Sequence, residues 1–323
     1  MAKIRTLGLI TTGGDAPGMN TAIRAIVRYA IVKGLRVMGI HRGFCGLMAG
    51  DIEEMSLRSV GGILNRGGTI LHTVRCPEFK KKSYRNVCLR QIKRHRIDAL
   101  VVIGGDGSLH ASREIAREWK IPVMVVPASI DNDIAFTDYS IGFDTAVNTA
   151  LEAIDKIRDT AKSHERIFIV EIMGREHGFL ALDVGLTAGA EVVLLPEAKF
   201  KISKVIKILK EGIEKGKTSS IVVTAEGAIR ANELAKAIKT KLKFDVRVSV
   251  LGHMQRGGSP TAMSREIACK LGVAAVEHIL RGKKNLMMGI KSDDVIATPI
   301  EKVVKTKRKI DIKGYKMAEI LAK

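Results

Sequence analysis

Aromatic side chains make up only 4% of the 323 residues, with one tryptophan among them. A surface that stacks successive bases of single-stranded nucleic acid therefore has little material to be built from. The 4 cysteines (Cys45, Cys76, Cys88 and Cys269) are scattered without a C-x-x-C pair. That spacing argues against a disulfide framework and against a zinc site, and it fits a reducing cytoplasm. Prolines number 7 while 46% of residues are hydrophobic, which excludes a largely disordered or collagen-like chain. No apolar run approaches the roughly 18–20 residues of a membrane span, so an integral membrane protein is not expected. Acidic groups are also in short supply: 34 Asp and Glu face 54 Lys and Arg, a formal net charge of +20. Such a balance points to polyanionic partners, whether nucleic acid, acidic membrane or small phosphorylated molecules, without choosing among them.

What the chain does contain is an alternation of short apolar runs with amphipathic segments. Residues 4–12, 35–40, 99–103, 122–126, 167–172, 192–195, 221–224 and 246–251 read as strands, several of them β-branched and nearly free of charge, as strands covered on both faces are. Between them lie helical patterns such as Ile202, Val205, Ile206, Leu209 and Ile213, or Val147, Ala150, Leu151, Ile154 and Ile157. This order predicts an α/β protein with two Rossmann-like α/β/α lobes and mainly parallel sheets. No low-complexity linker or tandem repeat marks a boundary, which element counting puts near residue 140. The start of the chain, 1–12, reads as a strand running into a glycine loop and not as a signal peptide.

Ligands of open α/β sheets bind beyond the carboxyl ends of the strands, and the unusual residues fall there. The first strand runs into Gly13-Gly14-Asp15-Ala16-Pro17-Gly18, and the strand at 99–103 into Gly104-Gly105-Asp106-Gly107-Ser108. Later strands lead to Ser129-Ile130-Asp131-Asn132-Asp133, Met173-Gly174-Arg175, Glu226-Gly227 and Gly252-His253-Met254-Gln255-Arg256-Gly257-Gly258. Strand ends that combine glycines with ionic groups predict one shared site, in the cleft between the lobes. The loop at 104–108 lets backbone approach phosphate oxygens, with a helix N-terminus behind it. Asp106 would repel those phosphates unless a bridging Mg²⁺ is present; the competing reading is an Asp that caps a helix starting near Ser108. A dinucleotide fingerprint fails, because His110 occupies the place of its third glycine. Gly212 to Thr218 imitates a Walker A loop but is one residue short and precedes a strand, so it reads as a helix end capped by Gly216. Asp131 and Asp133 offer a base for a hydroxyl and a partner for metal or water. Arg75, Arg166, Arg175, Arg247, His253 and Arg256 supply the positive groups that phosphoryl transfer requires.

These segments, in this order and spacing and reaching to about residue 280, resemble the 6-phosphofructokinase family. The resemblance implies transfer of the γ-phosphoryl group of ATP to the 1-hydroxyl of fructose 6-phosphate, with Mg²⁺ as cofactor. It implies an ATP lobe at 1–140, completed by part of 258–305, and a sugar-phosphate lobe at 141–257, completed by 306–323. Carried over motif by motif, Asp131 takes the 1-hydroxyl proton, Arg175 offsets the charge developing on the moving phosphoryl group, and Ser129 hydrogen-bonds it. Asp106 holds Mg²⁺, with Asp133 as a second candidate. Gly14, Phe44, Arg75, Cys76, Gly105, Gly107 and Ser108 line the ATP site. Met173, Gly174, Glu226, His253 and Arg256 meet the sugar phosphate. Arg166 and Arg247 reach a neighbouring subunit's sugar site, which implies a cytoplasmic homotetramer.

Relatives that use pyrophosphate generally carry an aspartate at the position of Gly107 and a lysine at that of Ala128. An acidic group at the first would crowd the α-phosphate of ATP, so the small uncharged residues here favour ATP; pyrophosphate is the alternative donor. Arg24, Arg28, Arg58, Arg158, Glu191, Lys215 and Lys217 match positions that bind an ADP or phosphoenolpyruvate effector in bacterial members. The stretch after Arg58 is shortened, and Ser219 stands where a histidine can occur. A basic nucleic-acid-binding α/β protein is the distant alternative; neither a stacking surface nor a binding module supports it, and no nucleic-acid or membrane partner is expected.

Overall fold

The computed structural model describes residues 4–242 and 244–322, so Met1, Ala2, Lys3, Lys243 and Lys323 lie outside the described residues. The strands are β1 (Thr6–Thr12), β2 (Arg36–Ile40), β3 (Ile52–Met55), β4 (Ala99–Gly104), β5 (Val123–Pro127), β6 (Ile167–Ile172), β7 (Val192–Leu194), β8 (Ser220–Ala225), β9 (Val246–Val250), β10 (Leu286–Lys291) and β11 (Asp294–Pro299). The helices are α1 (Met19–Val32), α2 (Gly43–Ala49), α3 (Lys82–Arg94), α4 (Asp106–Glu118), α5 (Phe143–Ser163), α6 (Phe179–Thr187), α7 (Ile202–Glu214), α8 (Ala231–Lys239), α9 (Ala262–Leu280), α10 (Ile300–Val304) and α11 (Ile312–Leu321). Among the described residues no helix is long and apolar enough to cross a membrane.

The chain divides into two compact units, both discontinuous. One comprises Met1–Ser129, Asp133–Asp144 and Arg256–Arg308; the other comprises Ile130–Asn132, Thr145–Gln255 and Lys309–Lys323. The first holds a seven-stranded sheet in the order β11-β10-β5-β4-β1-β2-β3. Its five inner strands pair in parallel, and antiparallel β3 and β11 close the edges. All residues of β1, β4 and β5 are buried, which is why they read as unbroken apolar runs. On one face Phe44, Phe79, Ile92, Leu109, Ile115 and Trp119 belong to a single core cluster. Elsewhere in this unit α1 packs on α9. A side-chain carbon at Gly272 of α9 would meet Ala25 of α1 at 3.3 Å, so the glycine sets the depth of that contact.

The second unit holds a four-stranded sheet in the order β7-β8-β6-β9, parallel throughout. Its core gathers Ile169, Leu194, Leu209, Val222, Leu234 and Ile238. The apolar stripe read in 202–213 is the buried side of α7, with Val205 and Leu209 at its centre. Gly216 follows α7 with φ 90° and β8 comes next, so the segment that imitates a Walker loop is a helix end.

Candidate functional site

In the first unit the groups of interest collect around the carboxyl ends of β1 and β4, which pair in register from Leu7↔Ala99 to Thr12↔Gly104. Gly104 permits a close approach, since a side chain there would run into the Thr12 carbonyl and the Ser108 hydroxyl. That hydroxyl donates to the Thr12 carbonyl at 3.1 Å and ties the start of α4 to β1. The helix begins at Asp106, with Gly105 as its N-cap and no side-chain cap. This overturns the competing reading of Asp106 as the cap of a helix starting near Ser108. The Asp106 carboxylate is instead 59% exposed, with His110 Nε2 at 3.8 Å. Gly107, one residue on, has open space where a side chain would project.

The neighbouring loop is held to the same strand ends. Asn20 donates to the carbonyls of Arg66 and Gly67, each at 3.1 Å, and accepts from the Ile70 amide at 2.7 Å. Thr73 Oγ1 donates to the Gly13 carbonyl at 2.8 Å, and Arg75, two residues on, is exposed. Arg256 donates to the Asp15 carbonyl at 3.1 Å, and its Nη1 would be 2.6 Å from a side-chain carbon at Gly14. Phe44 is only 4% exposed and stacks on Phe79 with ring centroids 3.9 Å apart, so its ring belongs to the core. Burial, with Cys45 beside it, pushes the Cys76 thiol up to about 12. Ser129 donates weakly to Asp133, at 3.4 Å.

In the second unit the carboxyl ends of β6 and β8 build a second cluster. Asp131 is buried, and Arg175 Nε lies 3.5 Å from its carboxylate. Glu226 accepts the backbone N–H groups of Gly174 and Arg175, at 3.1 and 2.8 Å. A side chain at Gly227 would run into the Arg175 carbonyl, so the Glu226-Gly227 pair is fitted to that loop. Behind Glu226 stands Arg230, whose Nη1 is 3.6 Å from Glu226 and 2.9 Å from buried Glu171. Glu171 also accepts the amide of Ala231, the first residue of α8, at 2.8 Å. Met173 N–H donates to the side chain of buried Gln255 at 3.4 Å, and His253 is exposed in the adjoining 3-10 turn. Sequence reading missed Glu171, Arg230 and Gln255; of these only Gln255 lay within a noted motif.

Arg166 and Arg247 do not join this cluster. Arg166 precedes β6, and Arg247 is the second residue of β9, paired with Phe168. They therefore sit at the amino edge of the sheet, about 10–20 Å from its carboxyl ends for strands of this length. Both bond Asp245, at 2.7 and 3.0 Å. Burial raises the Asp245 pKa, but the hydrogen bonds and charges of the two arginines outweigh it and hold the carboxyl below its ordinary value. The residues matched to an effector site fall in both units. Arg24 and Arg28 lie on α1, and Arg58 is exposed. In the second unit Lys217 bonds Glu191 at 3.3 Å, and Arg158 donates to the Ala188 carbonyl at 2.6 Å, whereas Lys215 caps the end of α7.

A family model described as phosphofructokinase matches residues 6–279. The chain is 47% identical over 320 residues to the ATP-dependent 6-phosphofructokinase of Thermoanaerobacter sp. (strain X514), covering 99% of this chain and 100% of that protein. The enzyme of the same description from Clostridioides difficile (strain 630) is 50% identical over 319 residues, with the same coverage. Among solved structures, Pichia pastoris phosphofructokinase in the T-state superposes with a TM-score of 0.90 at 34% identity over 94% of this chain; the chain spans 36% of that longer protein. A pyrophosphate-dependent phosphofructokinase from Marinobacter aquaeolei shares the fold, with a TM-score of 0.86 over 96% of this chain and 86% of its own, at 24% identity.

Proposed function

This chain belongs to the phosphofructokinase family, and we propose that it transfers the γ-phosphoryl group of ATP to the 1-hydroxyl of fructose 6-phosphate, giving fructose 1,6-bisphosphate and ADP. The observation that carries the chemistry is the buried Asp131 carboxylate with Arg175 Nε 3.5 Å away. Asp131 takes the hydroxyl proton as the oxygen attacks. Arg175, exposed on the other side of the pair, offsets the charge spreading over the moving phosphoryl group. Ser129 adds a hydrogen bond to that group. Glu226 holds the Arg175 loop through its backbone and accepts sugar hydroxyls. Met173, Gly174, His253 and Arg256 complete the sugar-phosphate site.

Gly14, Arg75, Cys76, Gly105, Gly107 and Ser108 form the ATP site, which the close approach of backbone at Gly104 and the start of α4 supports. The open space at Gly107 supports ATP as the donor, because packing does not demand a glycine there and the room is left for phosphate. Asp106 suits Mg²⁺: a carboxylate released from capping, largely exposed, at a glycine-lined phosphate site. Magnesium bound there neutralises phosphate charge. Asp133 is the second candidate.

The amino-edge position of Arg166 and Arg247 supports a role in a neighbouring subunit's sugar site, within a homotetramer. Binding of an ADP or phosphoenolpyruvate effector is assigned to Arg158, Glu191, Lys215 and Lys217 in the second unit and to Arg24, Arg28 and Arg58 in the first. The test is a coupled assay with fructose 6-phosphate and Mg²⁺ comparing ATP, ADP and pyrophosphate. Product from ATP, reduced by two or more orders of magnitude in Asp131→Ser, is expected; product from pyrophosphate alone, or an unchanged rate in the variant, would overturn the assignment.

A further inference from the structure

Beside the groups used above, the first unit brings together two thiols and a carboxylate from separate elements. Cys45 lies on α2, Cys76 caps a 3-10 turn at Pro77–Lys80, and Glu78 is in that turn. Their candidate ligand atoms (the two Sγ and one carboxylate oxygen) all lie within 4.8 Å of one another, and all three residues are half-buried. The Cys45 thiol already points at the 75–76 peptide, donating to the Arg75 carbonyl at 3.7 Å.

The surrounding shell holds these ligands in place. Phe44 precedes Cys45, Phe79 follows Glu78, and the two rings stack at 3.9 Å, so one contact fixes both backbones. Arg85, itself buried, donates to the carbonyls of Phe79 and Lys80, at 3.1 and 2.6 Å, and anchors the turn from behind. At the start of α2, a side-chain carbon on Gly43 would lie 3.6 Å from the Val74 carbonyl, which keeps the helix against the 74–76 segment. Metal sites need this kind of support around their ligands, because ligands that must be ordered on binding lose affinity.

We propose that Cys45, Cys76 and Glu78 bind a soft divalent cation of the zinc class, and that its binding weakens the binding of nucleotide. Tetrahedral zinc with metal–ligand distances of about 2.0–2.3 Å sets two sulfurs and a carboxylate oxygen about 3.5–3.8 Å apart. Small rotations of three side chains reach that spacing. Two thiolates and a carboxylate select zinc-like ions over Mg²⁺, which prefers oxygen and keeps its own waters. Binding replaces the two thiol protons, which pass to water; no oxidant is involved and the fourth position is open to water. The effect on nucleotide rests on the proposed ATP site, to which Arg75 and Cys76 belong: a Cys76 sulfur drawn to a cation turns away from the nucleotide and carries the Arg75 backbone with it.

The test uses the full-length protein, freshly reduced with a phosphine, in excess Mg²⁺. Titration with Co²⁺ should give a thiolate-to-cobalt absorption band that saturates at one ion per chain. Cys45→Ser should abolish the band, and Glu78→Gln should weaken cobalt binding at least tenfold. No band, or a band unchanged in Cys45→Ser, overturns the site. One equivalent of Zn²⁺ should then weaken binding of a fluorescent ATP analogue at least tenfold in the wild type and not in Cys45→Ser; equal weakening in both, or none in either, overturns the coupling. Metal-free wild type that fails to bind the analogue refutes the ATP site itself, and the cobalt band still decides the metal site. Circular dichroism of Cys45→Ser, expected to match the wild type, separates loss of the site from loss of the fold.

Discussion

Glu226 accepts the amide hydrogen of Arg175 at 2.8 Å, and Arg175 stands in the left-handed region with φ 54°. For a residue with a side chain that backbone costs about 1–3 kcal/mol, and a hydrogen bond to a charged acceptor returns about 1.5–3 kcal/mol. The carboxylate is therefore sufficient to hold the arginine loop in place. Glu226→Ala should lower kcat about a hundredfold, by releasing Arg175 from Asp131, as well as raising KM for the sugar. Glu226→Gln keeps an oxygen acceptor and should recover most of kcat. Steady-state kinetics of the two variants decide it, and a Glu226→Ala enzyme with native kcat would exclude the positioning role.

Donor choice can be tested at Gly107. Its φ is not in the left-handed range, and a side chain there meets no neighbour, so Gly107→Asp should leave the melting temperature within about a degree or two of the wild type. KM for ATP should nonetheless rise at least tenfold, since a carboxylate beside Asp106 repels the phosphates. An unchanged KM would remove Gly107 from the ATP site.

The amino-edge arginines lend themselves to complementation. Arg166→Ala with Arg247→Ala should raise KM for fructose 6-phosphate, and Asp131→Ser should lower kcat. If Arg166 and Arg247 serve a neighbouring copy, hybrid assemblies made by unfolding and refolding the two variants together contain some sites with every native group. The mixture should then exceed both parents in activity. A mixture no better than the sum of its parents would confine the arginines to their own chain.

Arg85 and Glu118 form a two-pronged pair, at 2.8 and 2.7 Å, with the arginine side chain 9% exposed. The hydrogen bonds from Arg85 hold Glu118 below its ordinary carboxyl value, against the opposing effect of burial. A depressed folded pKa means that the unfolded chain binds the proton more readily, so the pair's contribution is complete above the unfolded value of about 4.3 and is lost as pH falls through the folded one. Glu118→Gln should melt lower than the wild type at pH 7, with the gap closing below about pH 4. A gap constant from pH 7 to 3 would deny the linkage. Arg85→Ala, which leaves the half-buried Glu118 carboxylate without its partner, should cost about 1–3 kcal/mol.

How much of this could be read in the sequence depended on whether the physics was local. Buried parallel strands such as β1 and β4 are free of charge throughout and run into glycines, so both they and the loops beyond them were legible. The hairpin of β10 and β11 was not. Strand β11 is mostly exposed and carries no unbroken apolar run, and its turn with β10 uses Ser292 and Asp293 at positive φ where Asn-Gly would have given a signal. Asp245 escaped notice because nothing near it in the chain reveals that Arg166 will face it across the β6–β9 pairing. Cys45 and Cys76 escaped as a pair for the same reason, having no motif spacing, and become neighbours only when α2 and the 77–80 turn meet through Phe44 and Phe79. The alternative reading of Asp106 as a helix cap fails, because Gly105 takes that place and the helix starts at Asp106 itself.

The interrupted make-up of the first unit bears on how the protein is born. Helix α1 offers its apolar side to α9, and α9 begins at Ala262, well over two hundred codons later. At about 5–20 residues per second, a ribosome needs roughly ten to fifty seconds to supply the missing partner. For that interval the nascent chain carries an apolar helix face with nothing to cover it, and the cell must shield that face before the enzyme exists.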